Sequence, residues 1–260
     1  MSVDYKGFGL QDQIAIVTGP SQGIGRAIAV GLAQAGCHVA LAEHPALHQD
    51  ALKDVKAEIE KLGRKAIIIP TDIAHVSQIR AMVDKTKDTF GRIDILVNNA
   101  GWTCSGPAID VTEEDYDATM DTSVKAVFFA CQAAGKVMLA QGKGRIVNIG
   151  SNFAVSAWPT RTVYCGAKAD VHQMSRSLSL EWAKQGVVVN VVAPCITETA
   201  SRKPILEKPG YKEWAANEKI PSGRWNQPED LVGATLFLCS DMAAQVVGHI
   251  LYVDGGWTIH

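Results

Sequence analysis

The sequence predicts a doubly wound α/β fold, a parallel sheet of about seven strands with helices on both faces, as a single domain over residues 1–260. Three observations carry this. Apolar runs alternate with helical patterns almost from end to end, the order that βαβ units produce. The runs are apolar throughout rather than at every second position, as expected of strands covered on both faces. A glycine-rich turn separates the first run from the first helix, where folds of this class receive phosphate groups.

Taken in order, residues 14–17 are a short apolar strand closing on Thr18 and Gly19, with a helix over about 25–35. Residues 38–42 form the second strand and 46–62 a helix stopped by Gly63, a residue suited to the left-handed cap of a helix. Residues 65–69 and 76–90 repeat the pair, ending at Gly91. Strands at 93–97 and 145–149 enclose a helix around 116–140. After Ser151 a loop leads to a helix over about 164–185, then a strand at 187–192, a helix at 228–238 and a last strand at 250–253. The stretch from about 195 to 224 is irregular and rich in Pro, Lys and Glu. So long a segment in a compact domain reads as a substrate lid or binding loop, or else as a solvated insertion.

A chain of 260 residues, 47% hydrophobic and 20% charged, has the balance of a soluble globular protein with a large core. Its net charge of -2 lacks the basic excess that would suggest nucleic acid. Residues 1–13 lack the charged-then-apolar layout of a signal peptide, and no apolar run approaches a membrane span, so a cytoplasmic location is expected. The six cysteines have no Cys-x-x-Cys spacing and lie in apolar or small-residue surroundings, which predicts buried free thiols. His44 and His48 lie four apart around Pro45 with no evident third ligand, so no metal is expected.

The turn Thr18-Gly19-Pro20-Ser21-Gln22-Gly23-Ile24-Gly25 permits close approach of backbone to a pyrophosphate, with the N–H groups of the following helix facing the phosphates. Glu43 ends the second strand about twenty residues later. An acid there can accept both hydroxyls of an adenosine ribose and repels a 2′-phosphate. The turn has no Lys or Arg, so NAD is expected over NADP, with His44 the one possible cationic exception. A surface carboxylate at a strand end is the plainer reading of Glu43. Tyr164 and Lys168, four apart, share a helix face. A free phenol titrates near pH ~10, so a tyrosine base near neutrality needs roughly 4 kcal/mol of phenolate stabilisation, within reach of a neighbouring cation. Alone, the pair reads as a solvated helix face.

Together these pieces resemble the short-chain dehydrogenase/reductase family over essentially the whole chain. The motifs are Thr18-Gly19-x-x-x-Gly23-x-Gly25, Asp72 after the third strand, Asn98-Asn99-Ala100-Gly101 after the fourth, Ser151, and Tyr164-x-x-x-Lys168. The resemblance implies a Rossmann fold, hydride transfer between a nicotinamide and a carbon bearing OH or C=O, and a homotetramer. It implies Ser151, Tyr164 and Lys168 as the catalytic residues. Cofactor contacts fall on Gly19, Ser21, Gln22, Gly23, Ile24, Gly25, Glu43, Asp72, Ile73, Asn98, Ala100, Gly101, Tyr164, Lys168, Pro194, Ile196, Thr197 and Thr199. Asp72 would contact the adenine, and Thr199 the carboxamide.

Two positions depart from the family pattern. Ser123 stands where an asparagine usually shapes a helix kink and holds a proton-relay water, and Cys195 follows Pro194 where glycine is usual. Substrate contacts are expected from Trp102, Thr103, Asn152, Phe153, Trp158, Arg161 and the loop carrying Trp214. The run from Ile220 to Trp257 looks most like members acting on sugar acids and deoxy-keto-gluconates, so a sugar, sugar acid or polyol is the expected substrate. The alternatives are an NADP-dependent 3-ketoacyl-thioester reductase and, from another class, a non-catalytic nucleotide-binding protein.

Overall fold

The computed structural model describes residues 6–202 and 208–259. Seven parallel strands form one sheet: β1 (Ile14–Thr18), β2 (His38–Glu43), β3 (Ala66–Pro70), β4 (Ile95–Asn98), β5 (Gly144–Ile149), β6 (Val187–Pro194) and β7 (Ile250–Val253), in the order β3-β2-β1-β4-β5-β6-β7. The order reverses between β1 and β4, opening a crevice at the carboxyl ends of the strands, where ligands bind in such sheets. Residues of β1, β5 and β6 are buried without exception, so the unbroken apolar runs reflect cover on both faces.

One face is covered by α1 (Gly23–Gln34), α2 (Gln49–Lys61) and α8 (Asp230–Cys239), whose Ile28, Leu32, Leu52 and Leu236 pack on Val17, Val39 and Val192. The other is covered by α3 (Val76–Phe90), α5 (Ala126–Gln141) and α6 (Thr162–Trp182), through Met82, Cys131, Met138 and Val171 against Ile16, Leu96 and Val189. Gly91 and Gly142 close α3 and α5 in the left-handed conformation.

Four expectations are corrected. The helix expected around 116–140 is α4 (Glu113–Met120), a π-helical turn (Asp121–Lys125) and α5, because Thr112 caps α4 by accepting from Asp115 N. That continuous run, Glu113–Gln141, is also long and apolar enough to span a membrane, with a mean hydropathy of 1.3. Here its apolar side packs against α3 and the sheet. The stretch 195–224 is not wholly irregular: α7 (Tyr211–Lys219) lies within it, and 203–207 lie outside the described residues. Cys37, Cys131, Cys195 and Cys239 are buried free thiols as expected, but Cys104 and Cys165 are only half-buried, being in the loop after β4 and at the first turn of α6.

Candidate active site

The crevice begins where β1 and β4 end side by side. Thr18 Oγ1 accepts from the backbone N–H groups of Asn99 and Ala100, each at 3.0 Å, and Asn99 Nδ2 donates to the carbonyls of Thr18 (3.0 Å) and Gly19 (3.1 Å). This lacing fixes the glycine turn. Gly19 and Gly23 take φ of +65° and +54°, which favour glycine. A Cβ on Gly25 would lie 2.1 Å from the Gly19 carbonyl oxygen, so only glycine lets α1 start this close to the turn. No side chain caps α1: Gln22 makes no such bond. Its first N–H groups and the dipole's positive end therefore suit an anion. Ser21 is buried, while Gln22, Ile24, Ala100 and Gly101 border the crevice half-buried or exposed.

Glu43, at the end of β2, is 7% exposed, against the reading as a surface carboxylate. Its Oε2 accepts from Ser21 N at 3.3 Å and its Oε1 from His44 N at 3.0 Å. The acid thus sits directly over the turn, and no Lys or Arg pairs with it among the described residues. His44 lies beside Asp72 instead. Its Nδ1 accepts from Ala46 N at 3.2 Å and its Nε2 stands 3.7 Å from Asp72 Oδ2, with His75 Nε2 at 3.4 Å from the same oxygen. Asp72 Oδ1 accepts from Ala74 N at 3.0 Å, so the acid and the neighbouring Ile73 form a compact turn beyond β3. Asn98 faces inward rather than toward the crevice. It donates to Asn148 Oδ1 at 2.8 Å and to Cys131 Sγ at 3.4 Å, and Asn148 in turn donates to Ser175 Oγ.

Ser151 follows β5 by two residues and Tyr164 opens α6, with Lys168 one turn later. Lys168 Nζ donates to the Ile149 carbonyl at 2.7 Å and lies 5.8 Å from the centre of the Tyr164 ring. Ser151 Oγ bonds Asn152 Oδ1 at 3.3 Å and accepts from Phe153 N at 3.1 Å. Asn152 is buried, and its Nδ2 lacks a hydrogen-bond partner.

The residue the sequence reading missed is His172. Its Nε2 accepts from Ser151 N at 3.4 Å, and a Cβ on Gly150 would sit 2.2 Å from that nitrogen. Burial, then the charges of Lys168 and Arg176, push its pKa down to about 4. A neutral ring therefore supports the serine's backbone. The signal was available: Tyr164, Lys168 and His172 recur at four-residue spacing on one helix face.

Ser123 lies in the π-helical turn, so the kink persists without asparagine. Its hydroxyl donates to the Trp102 carbonyl at 3.0 Å, and Thr122 Oγ1 accepts from Trp102 N at 3.1 Å. The turn is thereby stitched to the loop after β4. Cys195 keeps an ordinary backbone conformation, because the only non-glycine residues with positive φ are Asp12, His48 and Thr160 among the described residues. The glycine expected there is thus not required. Burial, followed by the Asp254 charge, pushes the Cys195 thiol up to about 12.

From Pro194 the chain is pinned by Asn226, whose N–H donates to the Ile196 carbonyl and whose carbonyl accepts from Glu198 N, beside a bridge between Thr197 and Asn226. Thr199 then approaches the cradle: its Cγ2 would lie 2.9 Å from a Cβ on Gly23.

Aromatic rings cluster beside Ser151 and Tyr164. Phe153 stacks on Trp158 (5.5 Å) and meets Tyr164 (6.4 Å) and Trp257 (5.8 Å) edge-on, while Trp158 contacts Trp214 of α7 at 6.2 Å. Arg161 stands half-buried at the start of α6, and Trp102 is exposed. Among the described residues no group of His, Cys, Asp and Glu has the arrangement of a metal site.

A family model described as "Enoyl-(Acyl carrier protein) reductase" matches residues 19–258. The 2-dehydro-3-deoxy-D-gluconate 5-dehydrogenase of Escherichia coli is 35% identical over 251 residues, covering 96% of this chain and 97% of its own. The NAD-dependent glycerol dehydrogenase of Listeria innocua is 35% identical over 260 residues, covering 98% and 97%. The crystal structure of a gluconate 5-dehydrogenase from Burkholderia cenocepacia, in complex with NADP and tartrate, superposes with a TM-score of 0.90 at 32% identity over 96% of both chains.

Proposed function

Because the chain belongs to the short-chain dehydrogenase/reductase family and is a nicotinamide-dependent oxidoreductase, we propose that it is an NAD-preferring dehydrogenase of secondary alcohols on sugars, sugar acids or polyols. The observations that carry this reading are Lys168, bonded to the Ile149 carbonyl two residues before Ser151 and lying beside the Tyr164 ring, and a glycine cradle under a buried Glu43.

The cradle fits the cofactor on this chain's own geometry. Gly25 can bear no side chain, the uncapped N–H groups of α1 would hold the pyrophosphate, and Glu43 would accept the ribose hydroxyls. Bound nicotinamide supplies the hydride acceptor for oxidation and the donor for reduction. Tyr164 takes the alcohol proton in oxidation and returns it in reduction. Lys168, anchored on the Ile149 carbonyl, sets a positive charge beside the phenolate. Ser151 turns its hydroxyl from Asn152 to the substrate oxygen and steadies the developing alkoxide. Ser123 acts through the loop of Trp102, fixing the wall of the crevice.

The segment 195–224 is the lid of one dehydrogenase domain, its Trp214 resting on Trp158. The outward faces of α5 and α6, with Phe128 and Met174 along a shared groove, support a homotetramer. The composition supports a cytoplasmic enzyme. An acyl-thioester reductase would call for NADPH and a basic docking patch, and the acid at Glu43 opposes the first. The test is Tyr164→Phe: turnover should fall by about 10²–10⁴-fold, with NADH binding retained. Full activity in the variant would overturn the assignment.

A further inference from the structure

Helices α5 and α6 cover the same face of the sheet by different means. α5 packs through Val127, Ala130, Cys131, Ala134 and Met138, an apolar stripe of the usual kind. On α6, by contrast, His172, Ser175 and Ser179 are buried, and with Tyr164 and Lys168 they recur at three- and four-residue spacing along one side. Lys168 Nζ donates to the Ile149 carbonyl at 2.7 Å, and His172 Nε2 accepts from Ser151 N at 3.4 Å. Ser175 Oγ accepts from Asn148 Nδ2 at 2.9 Å. Ser179 Oγ accepts from Val189 N at 2.8 Å and donates to the Val189 carbonyl at 2.6 Å. Polar rungs thus tie α6 to β5 and β6 along its length.

The Asn148–Ser175 rung joins two side chains, and its direction is fixed. The Ser175 hydroxyl gives its proton to the Val171 carbonyl at 2.7 Å, so toward Asn148 it accepts. Asn148 Oδ1 accepts from Asn98 Nδ2 at 2.8 Å, which leaves its own Nδ2 for Ser175. Asn148 and Ser175 are both 0% exposed. A buried polar pair is costly to leave unmade, and it closes at one rotation and one height of the helix, which apolar contact alone does not specify. Ser175 stands eleven residues beyond Tyr164, about 16 Å along the helix axis. A tilt of about 4° at Ser175 therefore moves Tyr164 by about 1 Å, a misplacement that can cost about 10²-fold in rate.

We propose that Asn148 and Ser175 are positioning residues of the catalytic site, setting the rotation and height of α6 so that Lys168 stays on the Ile149 carbonyl beside the Tyr164 ring. The inference rests on the dehydrogenase reading above and deepens it. Fully buried, the pair acts through Lys168 rather than on the substrate. Breaking it lets the ammonium withdraw from the phenolate that takes the alcohol proton, and oxidation then needs a higher pH.

The test follows NAD-dependent oxidation of gluconate and glucitol against pH in the wild type, Ser175→Ala, Asn148→Ala, the double variant and Ser175→Thr. Each single Ala variant should lower kcat by about tenfold or more. The acid limb of its kcat profile should move to higher pH by about half a unit or more. The double variant should lose no more than the worse single one, because either change breaks the same bond. Ser175→Thr keeps the hydroxyl and should recover most of kcat. Leu178→Ala opens a cavity on the same helix without touching a rung, so it should lose stability and leave the acid limb in place. NADH binding by fluorescence reports that each variant is folded, and Ser175→Ala, which lacks a single oxygen, decides where Asn148→Ala does not bind. An unmoved acid limb in Ser175→Ala would overturn the proposal, as would an equal shift in Leu178→Ala. Either result leaves the dehydrogenase reading standing. A wild type that oxidises neither substrate removes that reading and the proposal with it.

Discussion

His172 gives a stability signature that can be calculated before it is measured. In the folded protein its pKa is pushed down to about 4 from an ordinary 6.5, because the ring is buried and faces Lys168 and Arg176. As pH falls below 6.5 the unfolded chain takes up the proton first, so folding loses stability between pH 6.5 and 4. Above 6.5 both states are neutral and the loss is absent. At pH 4.5 the penalty from this one ring is about 2.5 kcal/mol, approaching about 3.4 kcal/mol below pH 4. The perturbation is His172→Gln, which keeps an acceptor for Ser151 N but cannot titrate. Urea unfolding of both proteins at pH 7.5 and 4.5 isolates the effect, since other titrating groups are common to the two. The wild type should lose about 2.5 kcal/mol more than the variant on going to pH 4.5. Parallel losses would refute the claim that a neutral imidazole supports the serine.

Other expectations follow from the cradle. Gly25→Ala places a Cβ 2.1 Å from the Gly19 carbonyl oxygen, so it should cost about 1–3 kcal/mol by urea unfolding and weaken NADH binding in a fluorescence titration. Unaltered affinity would show that α1 can shift freely. Glu43→Ala removes the acceptor and the negative charge over the turn. The NADP-to-NAD ratio of kcat/KM should rise about tenfold or more, and a constant ratio would remove Glu43 from cofactor choice.

The fold was legible because backbone hydrogen bonding and burial act locally enough to mark the sequence. Unbroken runs such as Val187–Pro194 declare strands covered on both faces, and Gly91 and Gly142 punctuate helices through a conformation other residues avoid. The glycine turn and the Tyr164–Lys168 spacing were legible for the same reason. What remained hidden depends on contacts between distant segments. Asn98 turns inward because Asn148, fifty positions on, offers a buried oxygen. The π-helical turn was hidden too, since Ser123 keeps it through the carbonyl of Trp102 rather than through the expected asparagine.

The reversal of strand order between β1 and β4 has a consequence for how such a molecule can change. Glu43 and the histidines around Asp72 hang from β2 and β3, on one side of the seam, while Ser151, Tyr164, Arg161 and the aromatic wall hang from the β5 side. The turn and the lacing at Thr18 and Asn99 join the two across the seam, above a core common to both. The chain thus carries two toolkits on one sheet. Currency and cargo can be renegotiated separately, so relatives can exchange one nucleotide for another, or an acid for a polyol, without rebuilding the remaining half.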